Sequence, residues 1–189
     1  MTEESDDAIW RRVVSGEDRA YAEIWDRHRD RVFRHLASRV ISSADAEDLT
    51  AVVFLELWRR RAMVRFVDGS LLPWLIVTAQ NVARNAGRAQ RRYRRLLALL
   101  PPPPAVPDHA ERYADQNDER TAKLRAGLAD AKPADAQLLA LTVIEGFTVS
   151  QAATALGLTE SAAKMRLSRL RADLRSSLET RPILDGGSS

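Results

Sequence analysis

Two stretches of the chain concentrate cations at spacings that could hold a polyanion. The run "RNAGRAQRRYRR" at 84–95 sets Arg84, Arg88, Arg91, Arg92, Arg94 and Arg95 in twelve residues with no acid among them. Further on, "ESAAKMRLSRLRADLR" strings Lys164, Arg166, Arg169, Arg171 and Arg175 along one helical pattern. Guanidinium groups are planar forks that match phosphate oxygens, and clustered cations without compensating acids suggest nucleic acid or another polyanion. A solvated helix face is the ordinary alternative. The net charge is only +3 over 189 residues because "DHAERYADQNDER" at 108–120 returns the acid as Asp108, Glu111, Asp115, Asp118 and Glu119.

Helices must position these side chains, since strand signals are nearly absent. In "RAYAEIWDRHRDRVFRHLASRV" the apolar Tyr21, Ile24, Trp25, Val32, Phe33 and Leu36 recur at three- and four-residue steps, which aligns them on one stripe. His28 falls on the same stripe and reads as an edge-of-core histidine. "SDDAIWRRVVSG" predicts a short preceding helix, capped by Ser5, favoured by Asp6 and Asp7 at its positive end and closed by Gly16. "ISSADAEDLTAVVFLELWRRR" restarts with a cap at Ser42 or Ser43, and Asp45, Glu47 and Asp48 crowd its first turns. Leu49, Val53 and Leu57 form its stripe, joined by Phe54 and Trp58. "FVDGSLLP" breaks the pattern, and the helix that resumes at Trp74 grades from an apolar half into the arginine cluster.

The four prolines in "LLALLPPPPAVPDHAERYADQNDER" exclude a helix there and favour an extended spacer. The predicted fold is all-α: a helical unit at 1–97, a proline-rich acidic linker at 98–119, a second helical unit at 120–178 and a short tail at 179–189. In the second unit, Leu138, Leu139, Leu141, Val143 and Ile144 spread round a buried helix ending at Gly146. "SQAATALG" is a two-turn helix, and "TESAAKMRLSRLRADLR" begins a longer one with Thr159 as cap. A short helix, a glycine turn and a longer helix describe a helix-turn-helix. Ala153 allows close crossing, Gly157 permits a left-handed turn, and Ala163 and Leu167 face inward. That leaves Lys164 and Arg166 as candidate base readers, with Arg169, Arg171 and Arg175 gripping backbone. A basic surface helix in an ordinary bundle, or a protein-binding helix-turn-helix, is the competing reading.

"DAEDLTAVVFLELWRR" and "PWLIVTAQNVARN" in the first unit, with the helix-turn-helix in the second, resemble bacterial sigma factors of the extracytoplasmic-function (ECF) group of the sigma-70 family. The resemblance covers about 18–95 and 122–178. It implies a region 2 domain followed by a region 4 domain. It also implies a function: directing core RNA polymerase to promoters and assisting DNA opening. Asp45, Glu47 and Asp48 would then face the polymerase β′ clamp, while Leu49, Phe54 and Trp58 pack within the domain. Asn81 matches a position that helps hold a flipped-out base of the −10 element, and Arg84, Arg88, Arg91 and Arg92 would hold phosphates. Lys164, Arg166, Ser168, Arg169 and Arg171 would meet the −35 element, and region 4 would engage the β flap. The implied partners are core polymerase, promoter DNA and an anti-sigma factor, with the linker threading toward the polymerase's active-site path. The chain departs from the family pattern at Ala51-Val52 (often Gln-Glu), at Gln151 (frequently Glu) and at Ser161-Ala162 (usually Gly-Thr).

The alternative is a stand-alone helix-turn-helix regulator with a helical dimerisation domain, which predicts palindromic sites. It leaves the acidic motif at 45–48 unexplained. Enzymatic function has little support: there is no phosphate-cradling glycine loop, and His28, His35 and His109 lack a nucleophile partner at useful spacing. No cofactor, metal or small-molecule substrate is expected. Absence of cysteine excludes disulfides. The acidic start without a signal pattern, and the lack of an ~18-residue apolar run, predict a cytoplasmic protein.

Overall fold

The computed structural model describes residues 4–39, 42–97 and 131–179. The predicted linker, with its prolines and acidic run, the first residues of the predicted second unit (120–130) and the tail beyond Glu179 lie outside the described residues. Seven α-helices follow in order among them: α1 Asp6–Val14, α2 Asp18–Ala37, α3 Ser43–Arg59, α4 Leu72–Leu97, α5 Pro133–Leu139, α6 Val149–Leu156 and α7 Glu160–Glu179. A π-helical turn, Ala140–Ile144, continues α5. No β-strand occurs among the described residues; a single bridge joins Val67 to Ser70 in the turn before α4.

In the N-terminal unit α1 packs on α2, and α2, α3 and α4 pack mutually. The α2 stripe behaves as its spacing requires. Ile24, Val32 and Leu36 are fully buried, with Tyr21, Trp25 and Phe33 packed at the margin. From α3, Val53, Phe54 and Leu57 complete the core. Each such side chain contributes roughly 1.5–3 kcal/mol by leaving water. Ser42 caps α3, its hydroxyl accepting the Asp45 N–H at 3.0 Å. Ser5 holds the N-cap position of α1, but its hydroxyl donates to the Asp7 carboxylate and caps no backbone group. Trp58, expected to pack mainly within the domain, does so in part. It is 40% exposed, edge-on to Tyr21 at 5.4 Å and flanked by the Arg61 guanidinium at 4.9 Å.

α4 is apolar on two sides in its first turns. Leu71, Leu75 and Ala79 belong to the core just described, whereas Leu72 and Ile76, one position on, enter a second core. That second core is completed by Leu138, Leu141, Ala152, Ala153, Ala163 and Leu167 from beyond the linker. The hydrophobic clusters therefore do not divide at the linker: α6 packs directly on α4.

The helix at 133–144 departs from the sequence expectation. Val143 and Ile144, expected inside, are each 62% exposed. The π turn, closed by Glu145 N–H to the Ala140 carbonyl at 3.0 Å, is the reason. One extra residue per turn rotates everything after it by about 100° relative to an α-helix. Val143 and Ile144 swing to solvent, and Glu145 swings inward.

Candidate nucleic-acid interface

The helix-turn-helix geometry follows the local chemistry of its residues. Thr148 and Gln151 form a reciprocal capping box at the start of α6, with bonds of 3.2 and 2.9 Å. Gly157 closes α6 at φ 67°, ψ 32°, a left-handed conformation that a side chain disfavours. Thr159 then accepts the Ala162 N–H at 3.2 Å and opens α7. Ala153, Ala163 and Leu167 are buried where α6 and α7 cross. α7 thus presents its remaining faces outward.

Those faces separate the expected contact residues into two sets. Lys164, Ser168, Arg171 and Arg175, spaced four, three and four apart, line one open cleft beside Val149. All four are exposed, and Lys164 pairs with Glu160 one turn back at 2.6 Å. Arg166 and Arg169 lie on a different flank with Lys132, Asp135 and Asp173. Arg166 does not fit the role of base reader that the sequence suggested. It is half-buried and donates to Asp135 at 3.1 Å, tying α7 to α5. A guanidinium already committed to an internal carboxylate is poorly placed to leave it for a base. Arg171 and Arg175, both expected to grip backbone, line the same cleft as Lys164.

The distal half of α4 is a second cationic surface. Arg88, Arg91, Arg92 and Arg95 surround a cleft with Asn85, and no acid lines it among the described residues. Arg84 sits closer to the body, half-buried. Burial and the neighbouring Arg88 charge both draw its pKa below the usual arginine value. Asn81, one turn earlier, is exposed, but its side-chain oxygen is occupied. It accepts from Arg84 at 3.0 Å and from Gln137 of α5 at 2.9 Å.

The acidic patch lies on α3. Asp45, Glu47 and Asp48 are all exposed on its first turns, and none forms an ion pair among the described residues. The sequence reading missed their continuation: Val52 and Leu55, 40% and 53% exposed, run along the same helix toward Trp58. Strictly apolar side chains at non-core positions of an amphipathic helix were the available signal. Ala51 and Val52, the departures from the family pattern, both face solvent.

The arrangement is that of an all-helical factor with two separate cationic helices and one acidic-apolar helix, suited to gripping nucleic acid at two points while holding a protein partner. Comparisons with known proteins make this specific. The Sigma-70 region 2 family matches residues 24–93. The RNA polymerase sigma factor CarQ of Myxococcus xanthus is 30% identical over 84% of this chain and 88% of its own length. The ECF RNA polymerase sigma factor BldN of Streptomyces coelicolor is 27% identical, over 81% of this chain and 58% of its own. Among solved structures, CnrH, determined in complex with the cytosolic domain of CnrY, superposes with a TM-score of 0.59 at 24% identity, covering 93% of this chain and 97% of that one. The chain belongs to the ECF group of the sigma-70 family of RNA polymerase sigma factors.

Proposed function

We propose that the three surfaces divide the work of transcription initiation among them. As a sigma factor the chain directs core RNA polymerase to promoters and assists in opening the duplex. In this reading α3 docks on the polymerase clamp through Asp45, Glu47 and Asp48, with Val52 and Leu55 supplying apolar contact. The distal half of α4 holds the opened −10 strand, Asn81 taking a base and Arg88, Arg91 and Arg92 the phosphates, with Arg84 supporting Asn81. Arg95 joins that phosphate set. α7 reads the −35 element through Lys164, Ser168 and Arg171, while Arg166 serves mainly to hold α7 on α5 and Arg169 meets backbone at the margin. The second unit also meets the polymerase β flap.

The observation that carries this reading is the arginine cleft on α4, lined by no acid among the described residues, an electrostatic track suited to a single strand. A stand-alone palindrome-binding regulator is not favoured by the relatives found. The factor catalyses no reaction and takes no cofactor or small-molecule substrate in this reading. Its work lies in the cytoplasm, where polymerase is. No helix among the described residues is long and apolar enough to cross a membrane. CnrH was captured with a cytosolic domain of another protein, and an anti-sigma partner is proposed here by the same logic. The reading is tested by adding the purified chain to core polymerase and mapping transcript 5′ ends on genomic templates. New starts that share a two-part upstream sequence are expected. Starts identical to those of core enzyme alone would overturn it.

A further inference from the structure

The second turn of α7 carries a long apolar side chain that the packing of its unit does not use. Met165 is 58% exposed and belongs to neither hydrophobic core. It stands two residues from buried Ala163 and two from buried Leu167. At about 100° per residue it therefore lies about 160° round the helix from both, almost opposite the face that packs on α6. Ser161 and Ala172 share this outward line; both are exposed, and both are too short to reach as far.

The neighbouring cations are arranged around Met165. Lys164 before it holds Glu160 at 2.6 Å, and Arg166 after it holds Asp135 at 3.1 Å. The open cleft with Arg171 and Arg175 runs along one flank of the helix, and Arg169 lies on the other. A helix laid in a major groove meets base edges with the outward line of its N-terminal turns, while cations on its flanks meet phosphates. Met165 has the place of a base reader without the hydrogen-bonding chemistry of one.

We infer that Met165 selects thymine at a position of the −35 element, by contact with the C5-methyl group. The inference rests on the assignment of α7 to promoter DNA above, to which it adds an apolar reader. Among the groups that base pairs present in the major groove, the thymine methyl is the apolar one. A thioether is a weak acceptor and donates nothing. Set against the polar edge of guanine, adenine or cytosine, it displaces water and returns no bond, which penalises those bases. Against thymine it removes apolar surface from water on both sides. Its flexible, unbranched stem lets the terminal methyl settle there without strict register.

A partner protein is the other candidate occupant for an exposed methionine, and it fits this one less well. Protein-docking surfaces are contiguous apolar patches. Met165 is bordered instead by Lys164, Ser168 and Arg169, all exposed. Cations to either side of it complement the phosphate rows of a duplex.

The test uses the full chain bound to core polymerase. Promoters with a randomised −35 region are selected for initiation, and thymine is expected to dominate at one position or more. There thymine is replaced by uracil, which deletes the methyl group and leaves every hydrogen-bonding atom in place. Promoter binding is expected to weaken about fourfold, the usual worth of one buried methylene-sized group. Met165→Ser should abolish the difference between thymine and uracil, whereas Met165→Leu, which keeps an apolar side chain, should retain it. Neither substitution disturbs a core, since Met165 packs in none. Absence of any thymine preference, or indifference to uracil, would overturn the inference and leave Met165 to a protein contact. An equal loss on uracil in the unaltered and Met165→Ser factors would overturn it too. A factor that initiates from no member of the library would overturn the promoter role of α7, and this inference with it. The two failures are told apart by whether initiation occurs at all.

Discussion

Two clusters of an acid, an arginine and a histidine are built on the same helix, the arginines four residues apart and the histidines seven, and one lies within a unit while the other joins two. In the first, Asp6 is 4% exposed and receives Arg27 at 2.8 Å, His28 at 2.8 Å, the Leu71 N–H at 2.7 Å and the Ser70 hydroxyl at 3.2 Å. In the second, Glu145 receives Arg31 and His35. Asp6 ties α1, α2 and the start of α4 within one unit, and a backbone N–H shares the load. Glu145 joins two units through side chains and its own carbonyl, and one ring nitrogen of His35 has no partner among the described residues. The same residue types thus make a joint within one unit in one place and a joint between units in the other. The difference lies in how completely each polar atom is satisfied and in whether parting returns the charges to water.

Ionisation follows the same contrast. Burial alone would raise the Asp6 pKa, but hydrogen bonds from His28, the Leu71 amide and Arg27 outweigh it and hold the carboxyl far below its ordinary value. Glu145 is treated similarly: burial pushes up, and the bonds from His35 and Arg31 push further down. His35 moves the other way from a typical salt-bridge partner. Burial lowers its pKa, the bond to Glu145 only partly opposes this, and the nearby Arg39 charge adds to the lowering. Neutral His35 donating from Nδ1, with Nε2 left as a bare lone pair, fits both the shift and the unpaired atom.

The largest test of the contrast is deletion of each acid. Asp6→Ala leaves Arg27 and His28 facing a buried gap and is expected to destabilise the N-terminal unit by about 3–5 kcal/mol in chemical unfolding. Glu145→Ala should cost about 1 kcal/mol or less, because the units can part and rehydrate Arg31. Equal losses at the two positions would erase the distinction between the joint within a unit and the joint between units.

Salt sharpens a different edge of the comparison, the one between internal and outward-facing arginines. If Arg88, Arg91, Arg92 and Arg95 each meet one phosphate of a single strand, affinity should fall about fiftyfold between 50 and 200 mM salt. Arg88→Ala with Arg92→Ala should halve the logarithmic slope, whereas Arg27→Ala should leave it unchanged. A slope insensitive to the α4 pair would remove that surface from the binding site.

Acid separates the clusters in sequence. Asp6, with a depressed pKa, contributes stability that is present above its ordinary value of 3.8 and is lost only as pH falls below it. His35 is also depressed, so the parted or unfolded chain binds its proton first, and closure weakens as pH falls below the ordinary 6.5. Arg31 of α2, Arg39 just beyond its end and Glu145 at the close of the π turn are the charged groups around the ring, and Glu145 stays ionised through that range. The radius of gyration should therefore rise between pH 7 and 5 while the far-ultraviolet helical signal persists. Simultaneous loss of both would show a single cooperative unit. The smallest expected effect is at His35→Gln, which keeps a donor near Glu145 but does not titrate. Closure at pH 7 should change less than twofold, and its decline toward pH 5 should vanish.

Helices α1 to α4, α6 and α7 were legible in the sequence because apolar spacing, capping serines and threonines and the turn at Gly157 are local signals, each satisfied within a few residues. The exposure of Asp45, Glu47 and Asp48 and the arginine cleft on α4 were legible for the same reason, since unpaired charge on an amphipathic helix has nowhere else to go. The pairing of Arg166 with Asp135 was not, because it joins residues 31 apart through a helix packing angle that no periodicity encodes. Nor was the register of 140–144, where one inserted residue turned Val143 and Ile144 out and Glu145 in. The sequence marked the first half of α4 as apolar, but only packing shows that Leu71 and Leu75 enter one core and Leu72 and Ile76 another. The sequence by itself determined an all-helical chain with two cationic helices and one acidic helix, because charge and period are properties of neighbours along the chain. The tertiary structure alone decided which arginines face outward and that one unit closes on the other. Those outcomes depend on which distant polar atoms find partners once the helices have packed.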